Sequence, residues 1–122
     1  MKLCLVIDDS GVIRKVARAL LNSLGYQVIE AETGEDGLNI CTEQMPDVIM
    51  IDWDLPDMSG FDFLVDFKRT FPRQEPHIVY ATTENDPIDI SRALKAGASD
   101  YLIVPFDRAN IEDKFPHAAL AA

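Results

Sequence analysis

The sequence predicts an α/β fold in three layers, with five parallel strands covered on both faces by five helices. Three observations carry that prediction. Short apolar stretches, Leu3 to Ile7 and Val48 to Ile51 foremost, alternate along the whole chain with amphipathic helical stretches. The strongest of these stretches are continuous rather than alternating, as strands buried on both faces are. Turn residues punctuate the alternation, and no linker, repeat or low-complexity segment interrupts it.

Taken in order, Leu3 to Ile7 is the first strand and ends in Asp8-Asp9. A helix follows from Ser10. Val12, Ile13, Val16, Ala17, Leu20, Leu21 and Leu24 are expected on one apolar stripe, with Arg14, Lys15 and Arg18 on the other face, and Gly25 stops it. Gln27 to Ala31 is the second strand. Thr33 with Asp36 resembles a capping box, Asp standing where Glu or Gln is usual, and the helix it opens runs to about Gln44 before Pro46.

Val48 to Asp52 is the third strand, broken by Pro56, Ser59 and Gly60. Ser59 caps a helix through Phe61, Leu64, Phe67 and Phe71. His77 to Thr82 is the fourth strand. Asp86-Pro87 joins an N-cap acid to a proline at the first helical position. On the helix it opens, which ends at Gly97, Ile88 and Ile90 cannot both join the stripe of Ala93, Leu94 and Gly97, so one is expected at the surface. Tyr101 to Val104 is the fifth strand. Asp107 caps a last helix that Pro116 cuts short near Phe115. Residues 1–115 read as a single domain, with 116–122 as a tail.

The chain has 122 residues, 48% of them hydrophobic, enough for one sizeable core. Its net charge of −10 sets 21 acids against 11 basic residues, which argues against a nucleic-acid partner and against anionic membrane. No apolar run approaches a membrane span and the N-terminus enters a strand directly, so a cytoplasmic location is expected. Cys4 and Cys41 lack metal-ligand spacing and are expected to be small buried hydrophobes. There is no glycine-rich phosphate loop, no GxSxG and no poised His or Cys, so the chain does not read as an enzyme in its own right.

Strict alternation implies a parallel sheet with right-handed crossovers. Short chains of this class favour a flavodoxin-like (βα)5 three-layer sandwich with strand order 2-1-3-4-5, an order that comes from the fold class because alternation alone does not fix it. That order makes strands 1 and 3 neighbours and brings Asp8, Asp9 and Asp52 to one crevice at their carboxyl ends. Two unit charges about 4 Å apart repel by roughly 4 kcal/mol at an effective dielectric of about 20. Either one acid holds a proton, or a divalent cation sits among them. Hard oxygen donors at an open cleft suit Mg²⁺, which shares its shell readily with phosphate. One carboxylate is then a candidate nucleophile toward phosphorus.

Asp8-Asp9, Asp52 with Asp54-Leu55-Pro56-Asp57-Met58-Ser59-Gly60, Thr82, and Tyr101 with Pro105-Phe106 together resemble the CheY-like receiver domains of bacterial two-component response regulators. The resemblance spans about residues 2 to 115. It implies that Asp52 accepts a phosphoryl group from a histidine kinase or phosphotransfer protein and that a downstream effector protein reads the result. It further implies Mg²⁺ held by Asp9 and Asp52 directly, by Asp8 through water, and by Asp54 through its backbone carbonyl. Thr82 would turn its hydroxyl to the phosphoryl oxygen, and Tyr101 would move inward behind it, toward the face of helix 4, strand 5 and helix 5.

Two positions depart from the family pattern. Val104 stands where the family carries a lysine before the strand-5 proline, which removes one positive charge from the acceptor. Pro116 shortens the last helix. The alternative function is a degenerate receiver that serves as a non-phosphorylated docking module. Another basic side chain could replace the lysine; Arg14 lies one turn into the first helix, and the sequence does not show it reaching the site.

Overall fold

A computed structural model describes residues 2–83 and 86–116. Strands form at β1 (Leu3–Ile7), β2 (Gln27–Ala31), β3 (Val48–Asp52), β4 (His77–Thr82) and β5 (Asp100–Ile103). Between and after them lie α1 (Gly11–Ser23), α2 (Gly34–Glu43), α3 (Gly60–Thr70), α4 (Pro87–Lys95) and α5 (Arg108–Lys114). All strand pairs are parallel, in the order β2-β1-β3-β4-β5. This is the flavodoxin-like arrangement expected of the fold class. β5 begins and ends one residue earlier than expected, and Val104 adds one further backbone bond, to the Thr82 carbonyl at 2.8 Å.

Every helix starts on the side chain that the sequence offers. Ser10, Thr33, Ser59, Asp86 and Asp107 each accept a backbone N–H from the first turn. At Asp107 the Asn110 side chain returns the bond and completes a capping box. Gly25 leaves α1 at a φ of 96°, a left-handed geometry that glycine adopts without strain. The last helix stops at Lys114, as Pro116 dictates. Its end is fastened by the Tyr26 hydroxyl, which donates to the Pro116 carbonyl, and by the buried Phe115 ring. The expected tail beyond Pro116 lies outside the described residues.

The core divides by the period of two along each strand. Cys4, Val6, Met50, Val79, Ala81 and Leu102 face α1 and α5, where Ala17, Leu21, Ile111 and Phe115 meet them. Leu5, Ile7, Ile49, Ile51, Ile78 and Tyr80 face α2, α3 and α4. The two cysteines are buried on opposite faces and unpaired, as expected of small hydrophobes; burial pushes the Cys41 thiol up to about 12. On α4, Ile90 is buried and Ile88 is 74% exposed. No helix among the described residues is long and apolar enough to cross a membrane.

The expected stripe of α1 needs correction. Val12 and Val16 point to solvent, 74% and 44% exposed, while Arg14 and Arg18 lean toward the sheet edge and pair with Glu30 of β2. A glutamate on an edge strand gives arginine stems a reason to lie down against the protein, which periodicity alone does not register.

Candidate functional site

The parallel register builds the site. Ile7 pairs with Ile51, so the next residues, Asp8 and Asp52, emerge side by side where β1 and β3 end. Asp52 in turn pairs with Ala81 of β4, and Thr82 follows. This is the point at which connections diverge to opposite sides of the sheet, the usual crevice of an open α/β fold. Asp8, Asp9 and Asp52 each bring a carboxylate oxygen within 4.8 Å of the others.

Their surroundings differ. Asp8 is 2% exposed and Asp52 9%, whereas Asp9 is open to solvent. Asp8 Oδ1 accepts the Ser10 N–H at 2.8 Å, and Oδ2 is buried without a partner. Burial raises the Asp8 carboxyl above its ordinary range; the Ser10 N–H opposes that shift and Asp9 adds to it. Burial, then the charges of Asp8 and Asp9, push Asp52 up to about 7, partly offset by the backbone amides of Asp54 and Trp53.

The loop after β3 is fixed tightly. Trp53 N–H donates to the Ala81 carbonyl at 2.9 Å, and Gly60 N–H to the Trp53 carbonyl at 2.8 Å. A Cβ on Gly60 would lie 2.5 Å from the Asp52 carbonyl oxygen, so only glycine lets α3 start this close. The Asp54 backbone amide favours the charged form of Asp52, while the Asp54 side chain is exposed.

Asp57 closes the loop onto α2. Its two carboxylate oxygens accept the Gly34 and Glu35 N–H groups at 3.0 and 2.9 Å. Burial pushes the Asp57 carboxyl up, but the Glu35 and Gly34 amides win and hold it below the ordinary value. This second cap was not foreseen, because nothing local links residue 57 to residue 34.

Thr82 is buried at the end of β4. Val104 packs against the α1/α5 side of the core, the side on which Met50 lies and toward which Asp52 points by strand parity. A lysine there would face the acids; valine presents only methyl groups. Arg14 does reach the site, but at the Asp8 backbone carbonyl rather than at the carboxylates. Tyr101 is half-buried, its ring covered by the Lys114 ammonium 4.9 Å from the centroid.

Hard oxygen donors, their mutual repulsion and the orphaned Asp8 oxygen together fit a small divalent cation.

Residues 4–115 match the family model of the response regulator receiver domain. The chain belongs to that family. It is 41% identical over 106 residues to the transcriptional regulatory protein KdpE of Mycobacterium tuberculosis, a match covering 87% of this chain and 46% of that protein. It is 35% identical over 102 residues to the phosphate regulon regulator PhoB of Escherichia coli, covering 84% of this chain and 44% of the relative. The receiver domain thus spans less than half the length of these curated relatives. Among solved structures it resembles the chemotaxis protein CheY4 of Vibrio cholerae, with a TM-score of 0.86 at 29% identity, covering 93% of this chain and 94% of that one. It also resembles the BeF3-activated receiver domain of DrrB, with a TM-score of 0.78 at 33% identity and 89% coverage of each chain. It is a signalling receiver domain of the two-component class rather than a classical enzyme. Aspartate phosphorylation and Mg²⁺ binding are typical of that family.

Proposed function

We propose that Asp52 is the phosphoryl acceptor of this receiver and that Asp8, Asp9, Asp52 and the Asp54 backbone carbonyl hold Mg²⁺. The observation that carries the reading is the trio of carboxylates within 4.8 Å of one another, one oxygen of which is buried and unpartnered. When bound, the cation keeps Asp52 ionised and neutralises the oxygens of an incoming phosphoryl group. A carboxylate oxygen of Asp52 then attacks phosphorus. The O–P bond forms as the N–P bond to a donor histidine breaks, and the bond pair stays on the imidazole nitrogen. The backbone amides of Asp54 and Trp53 offset part of the cost of charge on Asp52, and Thr82 offers its hydroxyl to a phosphoryl oxygen.

The donor is a histidine kinase or phosphotransfer protein, and an effector protein reads the face of α4, β5 and α5. Residues 1–115 act as one receiver unit, followed by 116–122 as a tail. KdpE and PhoB are named as transcriptional regulators, which describes those longer proteins; the expectation of no nucleic-acid or membrane partner concerns this acidic segment alone. A cytoplasmic setting accords with such a kinase partner. Val104 is the single observation in favour of a non-phosphorylated docking module.

Trp53 adjoins Asp52 and gives a direct test. Titration with Mg²⁺ changes Trp53 emission, and Asp9→Asn weakens the response. A flat curve up to tens of millimolar from folded protein contradicts the metal site.

A further inference from the structure

The turn carrying Asp8 and Asp9 is braced by a side chain that touches neither carboxylate. Arg14 donates from Nη1 to the Asp8 backbone carbonyl at 2.7 Å. Its Nε donates to Glu30 Oε1 at 3.0 Å, and its Nη2 to Glu32 Oε1 at 3.4 Å. The other Glu30 oxygen takes Arg18 Nε at 2.7 Å. The Arg14 side chain is only 14% exposed, so the fork lies packed between α1 and the β2 edge.

Asp8 is thereby held at its backbone carbonyl by Arg14, at its N–H by the Ala31 carbonyl (3.1 Å), and at Oδ1 by Ser10. What remains uncommitted is Oδ2, buried inside the acidic cluster. We infer that Arg14, anchored by Glu30, is a positioning residue for this site: it clamps the Asp8 carbonyl so that Asp8 and Asp9 present their oxygens to the cation beside Asp52. The inference rests on the functional reading above and adds the group that orients its donors.

Two effects of Arg14 oppose each other. As a positive charge it repels a cation; as a clamp it fixes the cation's ligands. Glu30 and Glu32 face the guanidinium and balance its charge, so the clamp prevails. The same pairing prevents Arg14 from standing in for the missing lysine. Lysine at this position keeps the charge but not the planar fork that reaches three acceptors at once.

The test compares the unaltered chain with Arg14→Ala, Arg14→Lys and Glu30→Gln in two measurements. In metal-free protein, hydrogen exchange at the Ser10 amide reports the turn; Mg²⁺ affinity is read from Trp53 emission. Arg14→Ala speeds Ser10 exchange, leaves β3 amides protected, and weakens Mg²⁺ about tenfold, as loss of an orienting outer partner does. Arg14→Lys recovers only part of the affinity, and Glu30→Gln moves both readouts in the direction of Arg14→Ala. Unchanged Ser10 exchange overturns the clamp whatever the metal does. Faster exchange with unchanged or tighter Mg²⁺ overturns its role at the site. If Arg14→Ala unfolds, the Lys and Gln variants decide by the same criteria. An unaltered chain that ignores Mg²⁺ defeats the functional reading and the metal half of this inference with it, and Ser10 exchange then decides the clamp.

Discussion

The buried Tyr80 hydroxyl donates to Asp89 Oδ2 at 2.9 Å, tying β4 to the start of α4 beside the acidic site. The same ring stands over Gly60, where an added Cβ would come within 2.8 Å of it. One side chain thus borders the start of α3 and the start of α4, the helix at the proposed output face.

Tyr80→Phe keeps the ring and removes the bond. It is expected to cost about 1 kcal/mol in urea unfolding. Tyr80→Ala empties the space as well and is expected to cost about 3–5 kcal/mol.

Gly60→Ala places a methyl against the Asp52 carbonyl and the Trp53 Cα, both backbone atoms that cannot swing aside. The expected loss is about 1–3 kcal/mol by urea unfolding. Because the displaced segment carries Asp52, Mg²⁺ affinity falls too, read from Trp53 emission.

The acids set an unusual pH profile. Asp52 is raised from 3.8 to about 7 and Asp8 is raised as well, so over that window the native state holds protons that the unfolded chain releases. Metal-free stability therefore falls as pH climbs from about 4 to about 7 and levels off above. Glu30 and Asp57 are shifted down by their partners, so their contribution is lost as pH drops below the ordinary carboxylate range. The two trends leave a stability maximum near pH 4–5, seen in thermal melts across pH. Saturating Mg²⁺ flattens the fall toward pH 7.

Val104→Lys puts an ammonium on the side of the sheet that Asp52 faces. The pH-dependent loss in metal-free protein is expected to shrink, and Mg²⁺ is expected to bind more weakly because the new cation competes with it. Phosphorylation by a small donor becomes less dependent on Mg²⁺ concentration. Parallel melts and Trp53 titrations of the two proteins check all but the last, which needs rates at several Mg²⁺ levels.

Strand order, the convergence of Asp8, Asp9 and Asp52, and all five helix caps were legible because each rests on local pattern plus one topological rule. Contacts made by residues distant in sequence were not. Nothing near Asp57 points to Gly34, nothing near Tyr80 points to Asp89, and the α1 stripe misplaced Val12, Val16 and Arg14 because it ignored Glu30 on the neighbouring strand. The strand-5 departure was visible, and its consequence, a valine packed toward the core where an ammonium would face the acids, needed the fold.

The most direct measurement is mass spectrometry of the chain after incubation with Mg²⁺ and acetyl phosphate, alongside Asp52→Asn. One added phosphoryl group is expected, mapped to Asp52, dependent on Mg²⁺ and absent from the variant. No modification by acetyl phosphate or by a phosphorylated kinase, or equal modification of Asp52→Asn, would contradict Asp52 as the acceptor.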